Sequence, residues 1–500
     1  MVVPKAGRRE WIGLAVIALP CLLYSMDLTV LNLAVPALSA DLNPSSSQLL
    51  WIVDIYGFMV AGMLITMGTL GDRIGRRRLL MIGAAAFGIA SLLAAFSTSA
   101  EMLIGMRALL GIAGATLAPS TLSLIRNMFH DPSERTTAIG IWISSYSVGA
   151  AIGPVLGGVL LEYFWWGSVF LINVPVMLLL LALGPALLPE FRDPAARRLD
   201  LPSAALSLAA VLATVYGLKR IAEHGPGWLP AFIIVAGLII GAVFVWRQRS
   251  LADPLIDLRL FRVPAFSASL AIFMLAGLVM FGVYIFIAQY LQLVLALSPL
   301  QAGLWTVPWA LAFVVGSMLT PVIVRRYPAA SVVAGGLLLA AAGFALLTQA
   351  GVASGLTVMV TATVMLSLGL APAFTLATDL IVGAVPPERA GAASAISETS
   401  SELGGALGIA IFGSIGTAIY RAAMSDSVMS GVPPQAIEAA RSTLGGAMVI
   451  AAQLPGPLGA ALLDSARLAF VLGLHLTAVV GAVVMIITAI LAALTLSVKK

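Results

Sequence analysis

Long apolar runs alternate with short polar, arginine-rich segments from one end of the chain to the other. A run of about 18 apolar residues or more is long enough to cross a bilayer as one helix. Fourteen such runs can be marked: 11–37, 49–70, 79–97, 101–125, 136–161, 167–188, 202–218, 229–246, 265–290, 300–324, 331–350, 355–384, 392–420 and 468–495. The pattern therefore predicts an all-α polytopic membrane protein. The first run, Trp11 to about Ala37, is longer than the apolar core of a signal peptide and has no clear cleavage site, so it reads as a retained span. Between spans, 189–201 and 247–264 read as polar connections, the latter carrying Asp253 and Asp257. Residues 421–467 read as a long loop with Pro433-Pro434, Pro455 and two Ala/Leu-rich stretches suited to a helical hairpin.

Composition agrees with that pattern. Hydrophobic residues make up 60% of the chain and charged residues 10%, where a soluble domain carries about 25% charged residues. The placement of the positive charge matters more than its sum of +5. With the N-terminus on the cytoplasmic side, 21 Lys and Arg fall in inner segments and 5 in outer ones: Lys219, Arg220, Arg421, Arg441 and Arg467. That bias predicts an even number of spans with both termini cytoplasmic, and it attributes the charge to topology, not to nucleic-acid binding. The one cysteine, Cys21, excludes an internal disulfide and a cysteine metal cluster. Neither a P-loop, GxSxG nor HExxH is present, so no enzyme class is indicated. His130, His224 and His475 stand apart from any metal-ligand spacing.

Charges inside spans are costly and point to function. Five acids qualify, Asp27, Asp54, Asp379, Glu398 and Glu402, and Arg107 is the only base assigned to a span. A structural ion pair competes as an explanation, most strongly for Asp379, within two turns of a span end. Counting depth along alternating spans places Asp27, Asp54 and Arg107 in one outer-leaflet neighbourhood. Glu398 and Glu402 lie one helical turn apart on one face. Low dielectric favours the neutral form of a carboxyl, and a neighbouring like charge adds to that, so such a group can hold a proton and release it when a cation arrives. Aromatic residues suited to a cation pocket are Trp142 and Tyr146, Trp305 and Trp309, and Tyr284. Packing is the competing use of each.

Several stretches carry a family resemblance. Gly68-Thr-Leu-Gly-Asp72-Arg73-Ile-Gly75-Arg76-Arg77-Arg78 is a tight charged turn between the second and third spans. Gly75 permits the reversal, and the guanidinium groups are suited to gripping a carboxylate or the carbonyls at a helix end. This turn resembles the signature of the major facilitator superfamily. Met26-Asp27-Leu-Thr-Val-Leu-Asn-Leu-Ala-Val-Pro36 resembles the first-helix motif of its fourteen-helix drug:proton antiporters. Gly149-x-x-x-Gly153-Pro154-x-x-Gly157-Gly158 resembles their fifth-helix antiporter motif, in which glycines permit close packing and the proline bends the helix. Leu103-x-x-x-Arg107-x-x-x-Gly111 resembles the fourth-helix motif, with Leu110 where a polar residue is usual, and Asn173-Val-Pro175 after Trp165-Trp166 matches a further family feature. Asp54 with Glu398 and Glu402 resembles QacA-type exporters of quaternary ammonium compounds and dyes, although Ser397 stands where those carry a second adjacent acid.

The resemblance implies a major facilitator fold of two six-helix halves with two additional central helices. Residues 1–10 would be a cytoplasmic N-terminus, 11–188 the first half, and 189–264 the connections and inserted helices. Residues 265–495 would be the second half, including an extracellular loop at 421–467, and 496–500 a cytoplasmic tail. Gly316-Ser-Met-Leu-Thr-Pro321 before Arg325-Arg326 is a faint echo of the 68–80 turn, as expected of transporters built from repeats, major facilitators among them. The implied function is proton-coupled efflux of lipophilic, mostly cationic compounds by alternating access, in a cell membrane, with no cofactor and as a monomer. Export of an endogenous metabolite, peptide or antibiotic is the alternative. Asp27, Asp54, Arg107, Glu398 and Glu402 would serve cation attraction and proton exchange. Gly68, Asp72, Arg73, Gly75 and Arg76 would form a cytoplasmic latch.

Overall fold

The computed structural model describes residues 5–44, 46–192, 200–225, 227–251, 254–352, 355–425, 440–441 and 443–496. Arg197, Arg198, Asp253, Pro433-Pro434, Lys499 and Lys500 lie outside the described residues, as do the side chains of Pro154 and His224. The helices are α1 Arg8–Leu42, α2 Ser46–Ile74, α3 Arg76–Ala95, α4 Ala100–Gly114, α5 Leu117–Met128 and α6 Pro132–Tyr163. They continue with α7 Ser168–Leu171, α8 Asn173–Leu187, α9 Leu201–His224, α10 Trp228–Ser250, α11 Pro264–Gln289, α12 Pro299–Val324 and α13 Ala329–Leu347. The last are α14 Leu356–Gly383, α15 Ala390–Ser425, α16 Leu444–Ala451 and α17 Gly456–Thr495. Among the described residues, 14 helical stretches are long and apolar enough to cross a membrane. The chain is a multi-pass membrane protein.

Local sequence sets the helix starts. Ser99 accepts a hydrogen bond from the Met102 amide (3.1 Å), and Asp131 accepts from Ser133 and Glu134 (2.9 and 3.0 Å) with Pro132 behind it. Ser298 and Gln301 form a reciprocal capping box at α12. The fourth span is broken between α4 and α5, where the Thr116 hydroxyl donates to the Ala113 carbonyl at 2.7 Å. The ninth ends in a π-helical turn, Tyr290–Val294.

Two span limits differ from the sequence expectation. Helix α9 runs past 218 to His224 and stops at Gly225, whose φ is +81°. Lys219 and Arg220 are therefore part of a spanning helix and not of a loop, and Arg107 is not the only base inside the bundle. Helix α17 begins at Gly456 rather than 468, because the Ala/Leu-rich stretch after Pro455 continues the helix. It shortens the expected 421–467 loop, and α16 packs on α17 to make the described part of a helical corner.

Packing repeats between the halves. In the first, α1 lies on α6, α2 on α4, and α3 on α4 and α8; in the second, α11 lies on α15, α12 on α14, and α13 on α14 and α17. The halves meet where α2 crosses α15 and α6 crosses α12. The two additional helices pair with each other, and α9 also packs on α2 and α15. Lipid gives helices little hydrophobic reason to associate, so close backbone approach matters more. Gly149 provides it: a Cβ there would collide with the backbone of Leu22, which is how α6 seats against α1. Gly158, at the end of the same motif, has no neighbour within 4 Å of a Cβ position, so close contact belongs to the first glycine and not to the last.

Candidate functional site

Arg107 of α4 and Asp27 of α1 form an ion pair in the first half, at 1% and 6% exposure. Arg107 Nε donates to the Ile52 carbonyl at 3.1 Å, and the guanidinium lies 4.8 Å from the Tyr56 ring centroid and 6.0 Å from that of Phe170. The guanidinium is thereby engaged at its edge and over an aromatic face, as a buried charge requires. The sequence expectation that Asp27 and Arg107 meet holds.

Asp54 does not join them. Its carboxylate pairs with Lys219 of α9, at 22% and 30% side-chain exposure. Arg107 reaches the backbone of the same stretch of α2, but the Asp54 side chain points to the inserted helix. The lysine ammonium also lies 4.6 Å from the Phe58 ring centroid.

Glu398 and Glu402 face the first half from α15, half-buried. The Tyr24 hydroxyl donates to Glu402 at 3.3 Å. Glu398 lies within electrostatic range of Cys21, Tyr24 and Tyr146 of the first half. No hydrogen bond or cationic partner holds its carboxyl among the described residues.

A run of rings connects these groups. Trp142 packs edge-on to Tyr146 at 4.9 Å, Tyr146 to Tyr24 at 5.7 Å, and Tyr24 to Tyr56 at 5.9 Å, beside Arg107. Trp142 is anchored by its indole N–H donating to Thr121 at 2.9 Å. Tyr24 and Tyr56 were not singled out from sequence, since a tyrosine in an apolar helix carries no mark of its neighbours. The i,i+3 spacing of Tyr24 and Asp27 was the available signal. Tyr284 and Trp309 form a separate pair at 5.5 Å, and Tyr284 and Trp305 are 46% and 41% exposed.

At one end of the bundle the halves are latched. Asp72, at the end of α2, accepts from the backbone N–H groups of Gly391 and Ala392 at 3.2 and 3.0 Å, so it caps the N-terminal turn of α15 on the other half. Arg76 holds the same carboxylate at 2.9 and 2.7 Å. Gly68 packs against the Gly391 carbonyl. Gly75 adopts φ +109°, and a Cβ there would meet Glu190. Glu190 accepts from the Arg77 and Arg78 amides (3.2 and 3.1 Å), and Arg77 donates to the Pro185 and Leu188 carbonyls, both at 3.1 Å. Asp379 belongs to this end also. Arg135 and Thr136 of α6 hold it at 2.6 and 2.9 Å, which makes it a second bridge between halves, apart from Glu398 and Glu402. Asn173 donates to Ser91 at 3.2 Å and Trp166 to Asp41 at 2.7 Å, which assigns that motif to packing within the first half. His475 bonds the Ala350 carbonyl at 2.9 Å.

Comparison with known proteins agrees with this arrangement. The family model "Major Facilitator Superfamily" matches residues 17–409. The multidrug efflux pump LfrA of Mycolicibacterium smegmatis is 44% identical, over 97% of this chain and 96% of its own length. The methyl viologen resistance protein SmvA of Salmonella typhimurium is 39% identical, over 93% of each chain. The crystal structure of the human organic anion transporter MFSD10 superposes with a TM-score of 0.60 at 16% identity, over 97% of this chain and 99% of that one, a likeness of fold alone. With these matches, a repeated six-helix packing and a charged turn that latches the halves, the chain belongs to the major facilitator superfamily, among relatives that are drug efflux transporters.

Proposed function

We propose that the chain exports lipophilic, mostly cationic compounds from the cell in exchange for protons, by alternating access. The observation that carries this reading is Glu398: a carboxyl at the seam between halves, beside aromatic rings, with no cationic partner among the described residues. Asp27, Asp54 and Asp379 each have a base. An acid in that setting is neutral when protonated and attractive to an organic cation when it is not. Proton and cation therefore exclude one another at one group, which is the requirement for exchange. Arg107 tunes Asp27 by opposite charge, and Glu402, held by Tyr24, adds a second acid on the same helix face. The end that carries Asp72 and Asp379 is the cytoplasmic one in this reading, with both termini on that side, and the protein works as a monomer without a cofactor.

The test uses inside-out vesicles with an imposed proton gradient and ethidium as the fluorescent cation. The wild type accumulates ethidium; Glu398→Gln abolishes gradient-driven uptake, and Asp27→Asn reduces it severely. Absence of transport by correctly inserted wild type would overturn cation export and favour a neutral or anionic export substrate.

A further inference from the structure

The inserted helix α9 is not a peripheral linker. Its residues Val211, Val215 and Leu218 form one apolar cluster with Phe58 and Ala61 of α2 and Ala406 and Ala410 of α15. Helix α10 is much more exposed, with Trp228, Phe232 and Trp246 at 80%, 65% and 71%. Thus α9 sits against one helix from each half, at the crossing where the halves meet. The residue that follows this apolar contact is Lys219. Its ammonium pairs with Asp54 of α2 and lies over the Phe58 ring at 4.6 Å.

A carboxylate and an aromatic face are groups that recognise an organic cation. Here they surround a cation that belongs to the protein. We infer that Lys219 is a tethered stand-in for the substrate's charge: it occupies a cation site formed by Asp54 and Phe58 and is displaced when an organic cation binds there. The inference rests on the cation-export reading and deepens it. The residue type fits the role. A lysine presents a compact charge on a flexible four-carbon stem, whereas an arginine would hold a carboxylate in a fixed two-point fork. The neighbouring charges are consistent with displacement. Arg220 makes no ion pair with Asp54 among the described residues, its guanidinium lying 5.9 Å from the Tyr216 ring, so a swing of Lys219 frees the Asp54 carboxylate. With Lys219 withdrawn the site does not remain an unpaired charge, because the cargo replaces it. Empty and loaded forms then carry similar local charge, and neither leaves the half-buried Asp54 carboxylate without a cation.

An internal competitor weakens binding of the external one, and this separates the role from a structural salt bridge. Ethidium binding is measured by fluorescence anisotropy on the purified full-length protein, with thermal unfolding in parallel. Lys219→Met removes the competitor and binds ethidium roughly five- to tenfold more tightly than wild type, while its gradient-driven ethidium turnover in vesicles falls because the cargo is no longer expelled. Lys219→Arg retains a competitor and binds no more tightly than wild type. Asp54→Asn binds more weakly, and adding Lys219→Met to it gives no gain. Equal or weaker binding by Lys219→Met, at unchanged thermal stability, would overturn the inference, as would the same gain in the Asp54→Asn background. Should Lys219→Met unfold, Lys219→Gln carries the same comparison. If wild type binds no ethidium, the cation-export reading fails, and the tethered-competitor role falls with it; if wild type binds and Lys219→Met does not gain, only the latter falls.

Discussion

Replacing Asp72 with Asn should open the latched end of the bundle by a calculable amount. Only contacts between halves shift the balance between conformations, since contacts within a half persist on both sides of it. Arg76 is on the same side as Asp72, so weakening that pair weighs on both conformations alike. The bonds from Gly391 and Ala392 cross between halves. A hydrogen bond to a charged acceptor is worth about 1.5–3 kcal/mol and a neutral one about 0.5–1.5, so losing the charge at both weakens the latch by about 2 kcal/mol. Removing a carboxylate from a helix N-terminus costs a further 0.3–1 kcal/mol, roughly. The sum, about 3 kcal/mol, is on the order of a hundredfold in the closed-to-open ratio. Spin labels at Arg78→Cys and Tyr327→Cys, both exposed and on opposite halves at this end, report the distance by electron–electron resonance in a Cys21→Ser background. The otherwise unsubstituted pair should give one short population, and Asp72→Asn should give a second, longer one of comparable size. Asp72→Asn with Arg76→Gln should keep the longer population while recovering thermal stability. An unchanged short distance in Asp72→Asn, with the protein folded, would refute the assignment of Asp72 as an inter-half clasp.

Asp379→Asn removes the other bridge, to Arg135 and Thr136, and should lengthen the same distance additively with Asp72→Asn, because the two bridges share no partner. Gly75→Ala places a side chain at φ +109° and against Glu190; it should cost about 1–3 kcal/mol, read as a lower melting temperature and faster proteolysis at the α2–α3 turn. Arg247 donates two hydrogen bonds to Asp200 at the start of α9 (both 3.0 Å), holding that carboxyl below the usual range. A lowered folded-state pKa means the stabilisation is present at neutral pH and is lost as pH falls through the acid range. Asp200→Asn should therefore melt slightly earlier than wild type at pH 7, with the difference shrinking as pH falls below the ordinary carboxylate range, and a difference that stays constant through the acid range would refute the electrostatic cause.

The sequence carried the span count, the charged turn and the Asp27–Arg107 pair, because each is written in local pattern: apolar length, a glycine that must reverse the chain, and depth along adjacent spans. Gly75 bears out the reversing glycine with its positive φ, and Gly149, read as a close-packing glycine, approaches the backbone of Leu22. What was not legible depends on partners far apart in sequence. The base facing Asp54 lies 165 residues on, and that facing Asp379 lies 244 residues back. Hydropathy falls where Lys219-Arg220 begin, which reads as an outer loop, although the backbone has no reason to leave the helix before Gly225. Their conflict with the expected distribution of positive charge was the visible clue. The ring chain through Tyr24 and Tyr56 was hidden for another reason: in an apolar helix, position on the helix face decides the neighbour, and that is fixed only when the helices cross.

Helix α15 brings the two kinds of site together on one rod. Its first turn is capped by Asp72, and Glu398 and Glu402 follow on the same helix, about 10 and 16 Å further along at 1.5 Å per residue. Its partner α2 has the complementary order, with Asp54 in its first third and Asp72 at its end, about 27 Å away by the same rise. The crossing of α2 on α15 is thus bounded by a charge-assisted clasp at one end and a carboxylate group managed by Lys219 at the other. A packed helix pair tilts more readily than it stretches, so weakening attraction at one end lets the pair pivot about contacts at the other. Charge change at Glu398, Glu402 or Asp54 and release at Asp72 then act on a single angle between the same two helices. On the proposed export function, that is a physical means for a cation or a proton in the middle of the protein to bias the latch without any chain of intermediate contacts, and α9 packs on both helices.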